Sequence, residues 1–172
     1  MKLLLLKGLF VLGLVTRVHA ATFSIPDLGV SFDAPDGFTE LSSMEIALKY
    51  PPGRPPAFAA GNAERTTTIA YDLKTTPLPA ESLQEVKSSL EAAFERAMPG
   101  LQWQQRKMVS LQGRQWIQLE LVSQAIDTRI HSILLITSFR GRMLIFNFNS
   151  TREEFGKLEA ALRQSMQTIS LQ

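Results

Sequence analysis

Four consecutive strand-like segments, parted only by short turns, limit the fold of this chain more than any other feature. They cover residues 103–111, 115–123, 128–139 and 143–149. Gln112-Gly113-Arg114, the stretch around Ala125 and Asp127, and Arg140-Gly141 separate them. A parallel crossover needs roughly a dozen connecting residues or more, so neighbours joined this briefly must pair antiparallel. In the second segment Ile117, Leu119 and Leu121 share one face, and Gln118 and Glu120 the other. In the fourth, Leu144, Phe146 and Phe148 face one core. Ile133 to Ile136 are apolar on both faces, which places the third strand inside the sheet.

Two helical periods flank the meander. Residues 80–98 carry Ser82 and Glu85 at capping-box spacing, and Leu83, Val86, Leu90, Phe94 and Ala97 form one stripe before Pro99-Gly100 ends it. A last helix starts at Ser150 or Thr151 and buries Phe155, Leu158, Leu162, Met166 and Ile169. Upstream, residues 29–33 alternate like a half-buried strand closed by Pro35-Asp36-Gly37, and residues 66–71 have strong β character. Residues 44–50 fit a short helix or a strand. Prolines 51, 52, 55 and 56 can continue neither, so residues 51–62 are expected as a long loop. The fold class is α+β: an antiparallel sheet of about six strands with two main helices packed on it.

The first twenty residues read as an export signal cleaved after Ala20, leaving residues 21–172 as a single domain, with an uncleaved N-terminal anchor as the alternative. Lys2 gives a positive start, residues 3–15 are apolar apart from Lys7, and Val18-His19-Ala20 suits a signal peptidase. That apolar run is shorter than the roughly 20 residues of a membrane-spanning helix, so no stable span is expected after cleavage. The chain has no Cys, which closes the lipoprotein route and excludes disulfides and thiolate chemistry. Charge shifts with processing. The 18 Lys+Arg and 16 Asp+Glu of the full chain become fifteen and sixteen once Lys2, Lys7 and Arg17 leave, a formal net of −1. A near-neutral domain gives no electrostatic footprint for nucleic acid.

Beyond residue 20 there is one histidine, His131, in the third strand of the meander. A Ser-His-Asp system would need a distant Ser to fold against it, since adjacent Ser132 points to the opposite face. A lone His without Cys cannot assemble a usual zinc set, and Asp33 and Asp36 lack the EF-hand spacing. Glu153 and Glu154 lie in a first helical turn, where they complement the helix dipole. No catalytic, metal or cofactor site is therefore assigned.

Two surfaces qualify for partner binding. The first and third turns of a four-stranded meander lie at one end, so Arg114, Arg140 and Arg142 should gather there. Guanidinium groups suit carboxylates and phosphates. Such an end can dock an acidic patch or anionic ligand, or serve as a solvated rim. The other surface is the proline loop, with Arg54 in its stiff half and Phe58, flanked by alanines, as an apolar anchor. Stiff segments lose little entropy on binding, and a plain connector with Phe58 tucked onto the sheet fits the same residues.

Val30-Ser31-Phe32-Asp33-Ala34-Pro35-Asp36-Gly37-Phe38 resembles the strand, proline turn and aromatic that open PsbP-like domains, among them the small DcrB-like envelope proteins of bacteria. Residues 143–148 and 151–170 resemble their closing hairpin strand and helix. The resemblance implies a Mog/PsbP-type α/β/α sandwich and a mostly non-enzymatic role. Its motifs are core and turn residues, so no functional residue carries over. Two departures stand out: DcrB-like proteins are typically lipoproteins, and the type VI secretion adaptors of this fold are cytoplasmic. The expectation is a periplasmic, non-catalytic protein-binding or accessory domain whose partner is another envelope protein or a secreted effector. In a more pointed form it is an immunity protein blocking a type VI-like toxin. A small-ligand carrier and a hydrolase using His131 are the alternatives.

Overall fold

The computed structural model describes residues 20–125 and 127–172. Apart from Ala20, the expected export signal lies outside the described residues. Ten strands and three α-helices follow in chain order. These are β1 (Ala21–Ile25), β2 (Val30–Ala34), β3 (Thr39–Glu40), α1 (Ser43–Lys49), β4 (Phe58–Gly61) and β5 (Thr67–Pro77). Then come α2 (Leu83–Ala97), β6 (Gln102–Leu111), β7 (Arg114–Gln124), β8 (Arg129–Phe139), β9 (Arg142–Thr151), α3 (Arg152–Thr168) and β10 (Ser170–Leu171).

The meander is realised with both tight hairpins in the geometry their sequences favour. Gln112-Gly113 and Arg140-Gly141 are two-residue turns with positive φ at both positions (50° and 75°, then 53° and 71°). That conformation matches strand twist and accepts Gly at its second position without strain. The main sheet has seven strands in the order β3-β4-β5-β9-β8-β7-β6, every neighbouring pair antiparallel. A second sheet, β1-β2-β10, lies apart from it.

Both faces of the main sheet are covered. On one, α3 and the small sheet enclose Phe32, Ile69, Trp116, Leu135, Phe146 and Phe148. Phe146 is fully buried, with Phe32, Tyr71 and Trp116 ring centroids 5.5–6.3 Å away. On the other face α2 lays its expected stripe of Leu83, Val86, Leu90 and Phe94 over Ile117, Leu119 and Ile136. Trp103 of β6 is tied to that helix through Nε1, which donates to Glu95 Oε1 (3.0 Å). A smaller cluster of Leu41, Ala59 and Ala70 lies under Ile46 and Tyr50 of the α1 region.

Two local expectations are corrected and two open ones are resolved. The loop is shorter than residues 51–62, because Phe58–Gly61 pairs with β5 as a strand. The Ser82–Glu85 capping box does not form: a 3-10 turn over Ala80–Ser82 leads into α2, and Ser82 is already in helical conformation with its hydroxyl unbonded to the helix. The box forms instead at Ser42 and Glu45, which start α1 in the stretch that left helix and strand open. At the last helix Thr151 is the cap, accepting from Glu154 N (3.3 Å).

Phe146→Ala removes the ring that Phe32, Tyr71, Trp116 and Phe148 pack against. It should cost about 3–5 kcal/mol in urea unfolding; a loss below about 1 kcal/mol would show that the sheet does not depend on this packing.

Candidate functional site

Arg114 opens β7 and Arg140 lies in the β8–β9 turn, and antiparallel pairing brings both to one sheet end. Phe139, buried at 3% exposure, sits between them. The guanidinium carbons lie 5.9 Å (Arg114) and 5.0 Å (Arg140) from its ring centroid. Planar guanidiniums stack favourably on such a ring, which fixes them while their N–H edges stay in water. Arg114 donates from Nη1 to Ser138 O (2.8 Å), and Arg140 reaches Gln172 O (3.4 Å).

Arg142 does not join them. Its Nε donates to Lys74 O (2.8 Å) and Nη2 to Leu73 O (3.0 Å). The register between β5 and β9 slips after Leu73, and this guanidinium satisfies the carbonyls displaced there. Two of the three expected arginines thus form the basic end, and the third is a structural clasp.

Beside this end, the β6–β7 turn and β10 bound a cleft of about 520 Å3. Trp116 lines it at 1% exposure, and its Nε1 has no hydrogen-bond partner among the described residues. A buried unpaired donor costs about 1–3 kcal/mol, so this indole marks a place where an acceptor would be welcome.

The proline-loop candidates separate. Arg54 is exposed, on the face that carries α2, and lines a different cleft of about 350 Å3 with Tyr50, Asp72, Phe94 and Asn147. Phe58 is not a protruding anchor. As a β4 residue it packs against Phe23 (5.4 Å) and Tyr71 (5.7 Å), joining the aromatic core. The exposed large apolar side chains among the described residues are instead Met44 and Leu48, at 75% and 83%. They lie one helical turn apart on α1, a spacing readable only once that stretch is known to be helical.

His131 is committed to a buried ion network. Its Nε2 lies 2.8 Å from Glu120 Oε1, and its ring stacks on Phe155 with centroids 3.5 Å apart. Arg163 of α3 grips the same carboxylate from the other side, Nη2 to Oε1 (2.9 Å) and Nη1 to Oε2 (3.2 Å). Glu120 is 2% exposed. Burial by itself raises its pKa, but the hydrogen bonds and charges of His131 and Arg163 outweigh that and hold it below the usual value. Neither ring nitrogen bonds a hydroxyl among the described residues, so the geometry of a nucleophile and its base is absent there. Among the described residues no three His or carboxylate side chains cluster as a metal set, and no helix is long and apolar enough to cross a membrane.

The DcrB family model matches residues 31–168. The chain belongs to the DcrB family. No curated protein matches it. Among solved structures, cyanobacterial PsbP (CyanoP) from Synechocystis sp. PCC 6803 is similar, with TM-score 0.63 and 13% identity over 93% of this chain and 96% of that one. LpqN of Mycobacterium tuberculosis, described as involved in cell envelope biogenesis, has TM-score 0.56 and 16% identity over 90% and 91%. The Pseudomonas aeruginosa protein PA94, described as of unknown function and a putative regulator, has TM-score 0.53 and 19% identity over 90% and 98%. At these identities the likeness is one of fold: the PsbP-like α+β sandwich expected of this DcrB-family chain is the one observed.

Glu120→Gln should destabilise this DcrB-family domain by about 1–3 kcal/mol near neutral pH, because His131 and Arg163 lose the charged acceptor they share while Arg163 keeps Glu159. Since folding lowers the Glu120 pKa, its ionised form contributes stability above the unfolded carboxyl range and loses it as pH falls through the folded value. The wild-type acid limb of stability against pH should therefore be steeper than the variant's; parallel limbs would exclude Glu120 as the group responsible.

Proposed function

We propose that this DcrB-family protein is an exported, non-catalytic accessory domain of the cell envelope that docks an acidic surface of a partner on its Arg114–Phe139–Arg140 end. One observation carries the reading: two guanidiniums lie over a buried ring at an exposed sheet end. Charges held this way meet a carboxylate with less ordering cost than free side chains do.

Export is supported by the signal-like residues 1–20, and release without a lipid anchor by the lack of Cys. The envelope role ascribed to LpqN, a relative in fold, runs in the same direction. A binding rather than catalytic role is supported by His131, which is spent on Glu120 and Phe155. The partner is another envelope protein or a secreted effector. In the sharpest form of the reading it is a type VI-like toxin whose acidic active site is plugged by the basic end, and this chain is its immunity protein.

The test is charge reversal. Arg114→Glu with Arg140→Glu should weaken binding to the partner recovered from envelope extract by at least about tenfold, with the loss shrinking at high salt. Arg54→Glu, on the other face, should leave binding unchanged. Equal affinity of the double variant and wild type, with melting temperatures matched, would retire this docking surface.

A further inference from the structure

The cleft beside the basic end holds three sets of hydrogen-bonding groups that the fold leaves unspent. One wall carries Leu111, Gly113, Arg114 and Trp116, and the other Ser170 and Leu171. The first set is backbone. Strand β10 pairs with β2 alone, and Gln172 N donates to Gly29 O (2.8 Å). Antiparallel pairing alternates, so Ser170 faces β2 in the same way, while the N–H and C=O of Leu171 turn to the opposite, free edge. The second is the fully buried Trp116 indole, with its unpaired Nε1. The third is Arg114, whose Nη1 takes Ser138 O while its remaining N–H groups have no protein acceptor among the described residues.

A comparison within the molecule sharpens the point. Strand β6, the long free edge of the main sheet, is guarded by Arg106 and Lys107 and by a bulge between Trp103 and Gln105. Charge and bulges are the usual protection against strand addition. Strand β10 presents Ser170 and Leu171 with neither charge nor bulge, its two-residue length being its one protection.

The geometry points to an extended peptide bearing an acidic side chain as the occupant of this cleft, adding a strand along the free edge of β10. Its main chain pairs with Leu171 and its carboxylate meets Arg114, beside the wall that Trp116 lines. This rests on the reading of the basic end as a docking surface and narrows the partner to a segment that can lie as a strand. A small anion would use Arg114 and leave the backbone edge unused.

Trp103→Phe leaves Trp116 as the single tryptophan of the full chain. That variant is titrated with acetylated, amidated peptides of about seven residues, an ordinary strand length, in which Glu alternates with Val or Thr in either register. Parallel titrations use the same peptides N-methylated on alternate residues, and glutarate. The expected result is a saturable change in Trp116 emission, slowed hydrogen exchange at the Leu171 amide, and losses of about tenfold or more on N-methylation and in Arg114→Gln. No saturation by any peptide up to about 1 mM overturns the inference. So does glutarate binding as tightly as the best peptide. If charge reversal abolishes partner capture while these peptides stay silent, strand addition fails and the docking surface stands. If capture survives charge reversal, the docking surface itself fails.

Discussion

Burial of both faces of the central strands is the constraint on which the structure depends. Strands β8 and β9 carry Ile133, Leu135, Phe146 and Phe148 toward α3 and the small sheet, and Leu134, Ile136 and Ile145 toward α2. A sheet with two apolar faces must be covered twice, so helices are needed on opposite sides of it. This forces the sandwich and sends α2 and α3 to different layers. It also leaves uncovered the turns at the sheet ends and the free edge of β10.

The same constraint explains why a charged network sits inside. Glu120 lies on the α3 face of β7, opposite Ile133 of β8, and is 2% exposed. A carboxylate there is tolerated only with partners, and His131 and Arg163 supply them. The sole histidine beyond residue 20 is thus consumed in holding α3 against the sheet.

Much of this was legible in the sequence, and the exceptions share a cause. Period-two alternation gave the faces of β7, and two X-Gly turns gave the hairpins, because both depend on adjacent residues. Burial of Glu120 was not legible, since its counter-charge Arg163 arrives from a helix 43 residues away. Nor was strand β4: its small residues fit under α1, where a Cβ on Gly61 would lie 2.7 Å from Thr67 O. Ser42-x-x-Glu45 and Ser82-x-x-Glu85 are alike in sequence, yet of these two only Ser42 caps. It enters from extended backbone (ψ 160°), whereas Ser82 is the last residue of a 3-10 turn (ψ 0°). Arg114 and Arg140 were placed at one end by topology alone, while the diversion of Arg142 followed from a register slip in β5 that no local pattern announces.

The central claim is that this DcrB-family domain meets its partner at the basic sheet end. Site-specific photo-crosslinking in living cells addresses it most directly, with the crosslinker placed either at Gln115, beside Arg114 and exposed, or at Leu48 on α1. The account predicts a discrete crosslinked species from position 115 that disappears when Arg140 is changed to Glu, and none from position 48. A partner captured from position 48 and not from position 115 would contradict it.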